Sequence, residues 1–195
     1  MARTRGSRAD ITGPLIREHA RRLIARHGYA AVSMRKLADA VGVQVGTLYG
    51  HIPDKQALLM DLMRSHMETL LDDWRDDPQA TPVRRLERFV RFHIAYSLDH
   101  SDGVFLSYME LRNLEPDNFH AIGLLRRRYE DSLERILKDG VAAGTMTIAD
   151  SRLTTMALIA MLTGVTNWYR AGGRLDRDRL SDVYWGLVQG SVGVT

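Results

Sequence analysis

The sequence predicts an all-α protein of about nine helices, a small three-helix domain over residues 1–54 standing before a larger helical one over 55–195. Three observations predict it. Apolar residues recur three and four positions apart through nearly every segment between turn signals. Prolines are few (Pro14, Pro53, Pro78, Pro82, Pro116), and no stretch alternates polar and apolar residues between hairpin signals. With 195 residues, 45% hydrophobic and 26% charged, the chain is long enough and apolar enough for one to two domains with a real core.

The elements follow in order. The first helix is expected to open at Thr12 or Gly13, with Pro14 in its first turn, the stripe Ile16, Ala20, Leu23 and Ile24 on one face and Gly28 ending it. Ser33 caps a short second helix carrying Met34, Leu37, Ala38 and Val41, and Gly42 supplies the backbone for a sharp turn. A third short helix runs from Gln44 to about His51. Pro53 and Asp54 restart the chain into a long helix with the stripe Leu58, Leu59, Leu62, Met63, His66, Met67, Leu70, Leu71 and Trp74. After the break at residues 76–82 come helices over about 83–100, 103–114, 118–143, 151–169 and 176–190.

Composition narrows the function classes. Cysteine is absent, which excludes disulfides, thiol nucleophiles and thiolate metal sites. No run approaches the ~18–20 apolar residues of a membrane helix, and the start MARTRGSRAD has no apolar signal core, so a cytoplasmic protein without a membrane partner is expected. The seven histidines show no metal-ligand spacing, and the metalloprotease, phosphate-loop, dinucleotide and nucleophile-elbow motifs are all missing. No catalytic residue, metal or cofactor is therefore expected. Residues 1–60 hold ten basic and four acidic side chains against 17 and 20 in the remainder, so the front end is the part suited to a polyanion.

Two short helices joined by a tight glycine turn, with a helix before them, are the ingredients of a helix-turn-helix. Leu37, Ala38, Val41 and Leu48 are the residues that would lock the pair, leaving Gln44, Val45, Gly46, Thr47, Tyr49, Gly50 and His51 on an outward face without an acid. Residues 33–59, SMRKLADAVGVQVGTLYGHIPDKQALL, closely resemble the DNA-binding segment of the TetR/AcrR family of bacterial repressors. Gly42, Val43, Thr47, Leu48, Tyr49, His51 and Lys55 carry the resemblance, which spans about residues 12–60. Ile52 stands where the family more often has Phe, and Gly50 replaces a larger residue.

The resemblance implies phosphate contacts for Ser33, Arg35, Thr47, Tyr49, His51 and Lys55, and base contacts for Gln44, Val45 and Gly46. Hydroxyls and cations suit phosphate oxygens, glutamine can pair with adenine and valine can touch a thymine methyl. Arg35 is the alternative base reader, through guanine. Arg3, Arg5 and Arg8 form either an arm into an adjacent groove or a solvated tail. The resemblance further implies a homodimer on double-stranded operator DNA and a C-terminal domain for ligand binding and dimerisation. Candidate interface residues on the last two helices are Met161, Trp168, Tyr184, Trp185 and Leu187, with Leu158, Leu162, Val165, Leu180, Val183 and Val188 open to reading as interface or as core. Candidate effector-lining residues are Phe92, His93, Tyr96, Phe105, Tyr108, Met109 and Tyr129, against the competing reading of plain core. The implied effector is small and mainly apolar, an acyl-CoA or other lipid-derived compound. The run Arg126, Arg127, Arg128 would either meet its phosphates or pair with Glu130, Asp131 and Glu134 on the same helix. The expected function is a ligand-released repressor; the alternative is an architectural DNA-binding protein without a ligand.

Overall fold

A computed structural model describes the backbone of residues 6–194 and side-chain surroundings from residue 12 onward. Arg3 and Arg5 lie outside the described residues, and for Arg8 only the helical backbone is described. Every described element is helical: α1 (Gly6–His27), α2 (Met34–Val41), α3 (Val45–Tyr49), α4 (Lys55–Asp73), α5 (Pro82–Asp99), α6 (Ser101–Met109), a 3₁₀ turn (Leu111–Asn113), α7 (Pro116–Ala142), α8 (Ser151–Thr163), α9 (Val165–Trp168) and α10 (Arg177–Ser191). Contacts divide them into two compact units. The first holds the described residues up to Met67 with Asp102–Gly123, the second Glu68–Ser101 with the residues from Leu124 onward.

In the first unit, Ile16, Ala20 and Ile24 of α1 are fully buried, as are Ala38 of α2 and Leu48 of α3. α1 packs on α2 and α2 on α3. The caps are those the residue types dictate. Ser33 is extended, and its Oγ accepts from the Lys36 N–H at 3.1 Å. Gly42 is left-handed at φ 75°, and the N–H groups of Gly42 and Val43 close the helix end on Asp39 and Ala38. Asp54 caps α4 through an Oδ1 that accepts from the Ala57 N–H at 2.7 Å.

In the second unit α5 is the central helix, packing on α8, α9 and α10. It opens on a Thr81 cap with Pro82 in its first turn, where the missing N–H has no helical partner to lose. Leu86, Phe89 and Val90 from α5, Leu133, Ile136 and Leu137 from α7, and Leu162, Val165 and Val188 from the last helices form a core with no exposed surface. Arg85 is buried beneath the 76–82 connection. Its guanidinium forks onto both carboxylate oxygens of Asp76, at 2.9 and 2.7 Å, and reaches Asp139 at 2.6 Å.

Three boundaries differ from the sequence expectation. α1 begins six residues before Thr12 and so carries Pro14 inside it rather than in its first turn. α6 ends at Met109 and gives way to a 3₁₀ turn, and Pro116 starts the next helix two residues before the expected Asn118. The expected 151–169 helix tightens at Gly164, where the Asn167 N–H bonds the Gly164 carbonyl, dividing α8 from α9.

Candidate nucleic-acid interface

α3 is only five residues long and is held from beneath. Leu37, Ala38 and Leu48 are buried and Val41 half-buried between the short helices, and Ile52 is buried just after them, consistent with its replacing a larger apolar residue. A pair anchored this way presents its outer residues as a rigid set. Gln44, Gly46, Thr47 and His51 are exposed, Val45 is half-exposed, and the Tyr49 ring is 51% exposed despite its size. A Cβ added at Gly46 would meet no atom within 4 Å, so the backbone there is open to close approach from outside. Gly50 is also exposed, but its Cβ position lies 3.3 Å from the Thr47 carbonyl oxygen.

Ser33 and Arg35 are exposed at the start of α2. Lys55 opens α4 with its ammonium 4.1 Å from the centroid of the Tyr29 ring. Partial burial lowers the Lys55 pKa from its ordinary value, while the Glu110 carboxylate acts in the opposite sense. The nine candidate DNA-contacting residues therefore fall within one stretch, 33–55, and all belong to the first unit.

The candidate effector-lining residues divide between the two units. Phe105, Tyr108 and Met109 lie on α6 in the first, where Tyr108 and Met109 are exposed and Phe105 is half-buried. Phe92, His93, Tyr96 and Tyr129 lie in the second, where their rings join Trp74 and Phe89 in one aromatic cluster. His93 is buried with both ring nitrogens engaged, Nδ1 with the Tyr129 hydroxyl and Nε2 with the Thr163 hydroxyl, each at 3.0 Å. Burial pushes the Tyr96 phenol far above its ordinary range, so it stays protonated at all physiological pH. Trp74 Nε1 is buried without a hydrogen-bond acceptor.

Glu130, Asp131 and Glu134 of α7 converge on Arg152 of α8, at 2.5, 3.1 and 3.3 Å, and Glu134 also pairs with Lys138 on its own helix at 2.7 Å. Arg127 and Arg128 are exposed and make no ion pair among the described residues.

The candidate interface residues separate cleanly by burial. Leu158, Leu162, Val165, Leu180 and Val188 are core of this chain. Trp168 and Leu187 are 49% and 51% exposed, and Met161, Tyr184 and Trp185 are half-buried. The Trp168 and Tyr184 rings lie nearly parallel with centroids 6.4 Å apart. Leu153, Met156 and Val183 are also exposed on α8 and α10, as are Gly186 and Gly190, where a Cβ would meet nothing. Sequence reasoning placed Gly186 beside Trp185 on this surface but did not place Leu153, Met156 or Gly190 there, although their three- and four-residue spacing was available. Among the described residues no helix is long and apolar enough to cross a membrane, and no group of three or more His, Asp or Glu is placed to hold a metal.

Residues 16–62 match the family model described as bacterial regulatory proteins of the tetR family, and residues 79–192 match that of the tetracyclin repressor-like C-terminal domain. The chain belongs to the TetR family of transcriptional regulators. It is 26% identical over 196 residues to the HTH-type transcriptional repressor KstR2 of Mycobacterium tuberculosis, covering 98% of each chain. It is 24% identical to the fatty acid metabolism regulator protein of Bacillus subtilis, over 82% of this chain and 84% of that one. Among solved structures, AibR in complex with isovaleryl coenzyme A and operator DNA superposes with a TM-score of 0.85 at 26% identity, over 91% of this chain and 97% of that one. KstR2 of Mycobacterium tuberculosis superposes at 0.81 and 25% identity, over 93% and 94%.

Proposed function

We propose that this protein is a cytoplasmic, non-enzymatic repressor that binds operator DNA as a homodimer and is released from it by a small, mainly apolar effector of the acyl-CoA or lipid-derived class. The observation that carries the reading is the acid-free outer face of α3, exposed on a helix pair held together by buried Leu37, Ala38 and Leu48. Such a pair can enter a major groove about 12 Å wide without rearranging. Gln44, Val45 and Gly46 then face base edges, while Ser33, Arg35, Thr47, Tyr49, His51 and Lys55 meet phosphates. Residues 1–54 form the reading head, and 55–195 serve effector binding and dimerisation.

One head of this size contacts few base pairs, so specific binding needs two. The exposed apolar residues of α8, α9 and α10 supply a surface for the second copy, with Met161, Trp168, Tyr184, Trp185 and Leu187 at the contact. The aromatic side chains around Phe92, His93, Tyr96 and Tyr129, all in the second unit, are the effector's contacts. The complex of AibR with isovaleryl coenzyme A and operator DNA, and the role in fatty acid metabolism named for the Bacillus protein, support this effector class. An effector that favours the DNA-incompetent shape by about 1–3 kcal/mol lowers operator affinity roughly 5- to 150-fold.

The test is enrichment of genomic fragments by the purified protein, followed by titration of the best fragment with a panel of acyl-CoA thioesters. The reading expects one symmetric motif and its release by at least one thioester. Enrichment without sequence preference, with affinity set only by salt, would instead support the architectural alternative.

A further inference from the structure

Tyr29, in the turn between α1 and α2, is gripped at three points inside the first unit. Its backbone N–H donates to Oε1 of Glu110 at 3.1 Å, and its hydroxyl accepts from Nε2 of Gln56 at 3.1 Å. The Lys55 ammonium lies over its ring. The gripping groups are themselves fixed. Glu110, just beyond the end of α6, is buried and also accepts from Asn113 Nδ2 at 2.5 Å. Gln56 donates a second time, to the Asn113 carbonyl at 2.6 Å, and its Oε1 accepts from the Glu115 N–H at 3.2 Å. Both N–H donors of the Gln56 amide and one of its two acceptor positions are thus used. The turn itself depends on Gly28 at φ 81°, whose Cβ position faces Glu110 Oε1 at 3.5 Å.

We infer that Tyr29, Gln56 and Glu110 are positioning residues for the DNA contact of Lys55, seating its ammonium in advance where a phosphate oxygen meets it. The inference rests on the proposed role of Lys55 in DNA binding. A lysine free to sample its rotamers loses that freedom on meeting a phosphate, whereas one already seated on an aromatic face loses less. Gln56 follows Lys55 directly in the first turn of α4, so the bond that fixes the Tyr29 hydroxyl also fixes the backbone from which the lysine projects. Glu110 holds the other end of the same tyrosine.

The test is fluorescence-anisotropy titration of the full-length protein on its enriched duplex at several salt concentrations. Lys55→Ala is expected to reduce the slope of log affinity against log salt by about two, one for each protomer of the dimer. Gln56→Ala and Tyr29→Leu are expected to weaken binding several-fold in the presence of Lys55 and to cost nothing further in the Lys55→Ala background. Glu110→Ala should behave alike; should it fail to fold, Tyr29→Phe, which removes only the hydroxyl, reports on the same seat. Equal losses in both backgrounds, or a lowered melting temperature with affinity and salt slope unchanged, would overturn this inference alone and leave a purely structural clamp. Wild-type affinity and salt slope in Lys55→Ala, or no duplex bound by the wild type, would overturn the reading it rests on as well.

Discussion

The candidate DNA-contacting residues divide into two chemical groups that should fail differently. Gln44 can pair with a base edge, whereas Tyr49 and Lys55 offer a hydroxyl and a cation suited to phosphate. Gln44→Ala should therefore change which operator is preferred, seen as an altered base profile at one position. Tyr49→Ala should weaken binding to all duplexes alike, with the profile preserved; loss of preference at a single base there would reassign Tyr49 as a reader. A different residue governs stability. Arg85 is buried between Asp76 and Asp139, and its guanidinium holds the Asp76 carboxyl below the ordinary carboxylate range. Because the folded-state pKa is depressed, the stabilisation is fully present above the unfolded value and is lost as pH falls through the folded one. Asp76→Asn should lower the urea midpoint at neutral pH, and the gap to wild type should close in acid, below pH ~4. Arg85→Ala removes the buried cation from a partly buried and an exposed carboxylate and should cost about 1–3 kcal/mol at neutral pH. A variant as stable as wild type would show that the fork contributes nothing.

At the scale of elements, the α2–α3 turn is where local chemistry dictates geometry most strictly. Gly42 has φ 75°, and nothing lies within 4 Å of its Cβ position, so Gly42→Ala meets backbone strain and no clash. The expected cost is about 1–2 kcal/mol in chemical denaturation, with a further loss of DNA affinity if the relaxed turn re-aims α3. This turn was legible from residues alone, since a serine cap, an apolar pair and a glycine at the end are short-range signals. The long helices α4, α5, α7 and α10 were legible from their three- and four-residue apolar spacing. What sequence could not show were partners far apart in the chain. Nothing in residues 76–85 points to Asp139, and nothing around Tyr29 points to Glu110. Nor could spacing alone divide the apolar residues of the last helices into Leu162, Val165 and Val188, which fill this chain's own core, and Trp168 and Leu187, which face outward. Both sets obey the same helical period, and only the packing separates them.

For the whole molecule, the proposal requires two copies, each offering one reading head. Leu187 and Trp168 lie on the exposed apolar surface of the last three helices, so Leu187→Asp with Trp168→Asp should yield a folded monomer by sedimentation velocity, with specific operator binding abolished. Retention of a dimer would place the contact elsewhere. The effector need not touch the heads: a ligand favouring one dimer arrangement changes operator affinity only by its difference in affinity between the two. The most direct test of the account is a nuclease footprint of the wild-type protein and of Tyr49→Ala on the most strongly enriched genomic fragment. The account predicts two symmetry-related half-sites about 10 base pairs apart centre to centre, or a multiple of that, protected by wild type and lost in the variant. Protection spread evenly over any duplex, or unchanged by removal of Tyr49, would contradict it.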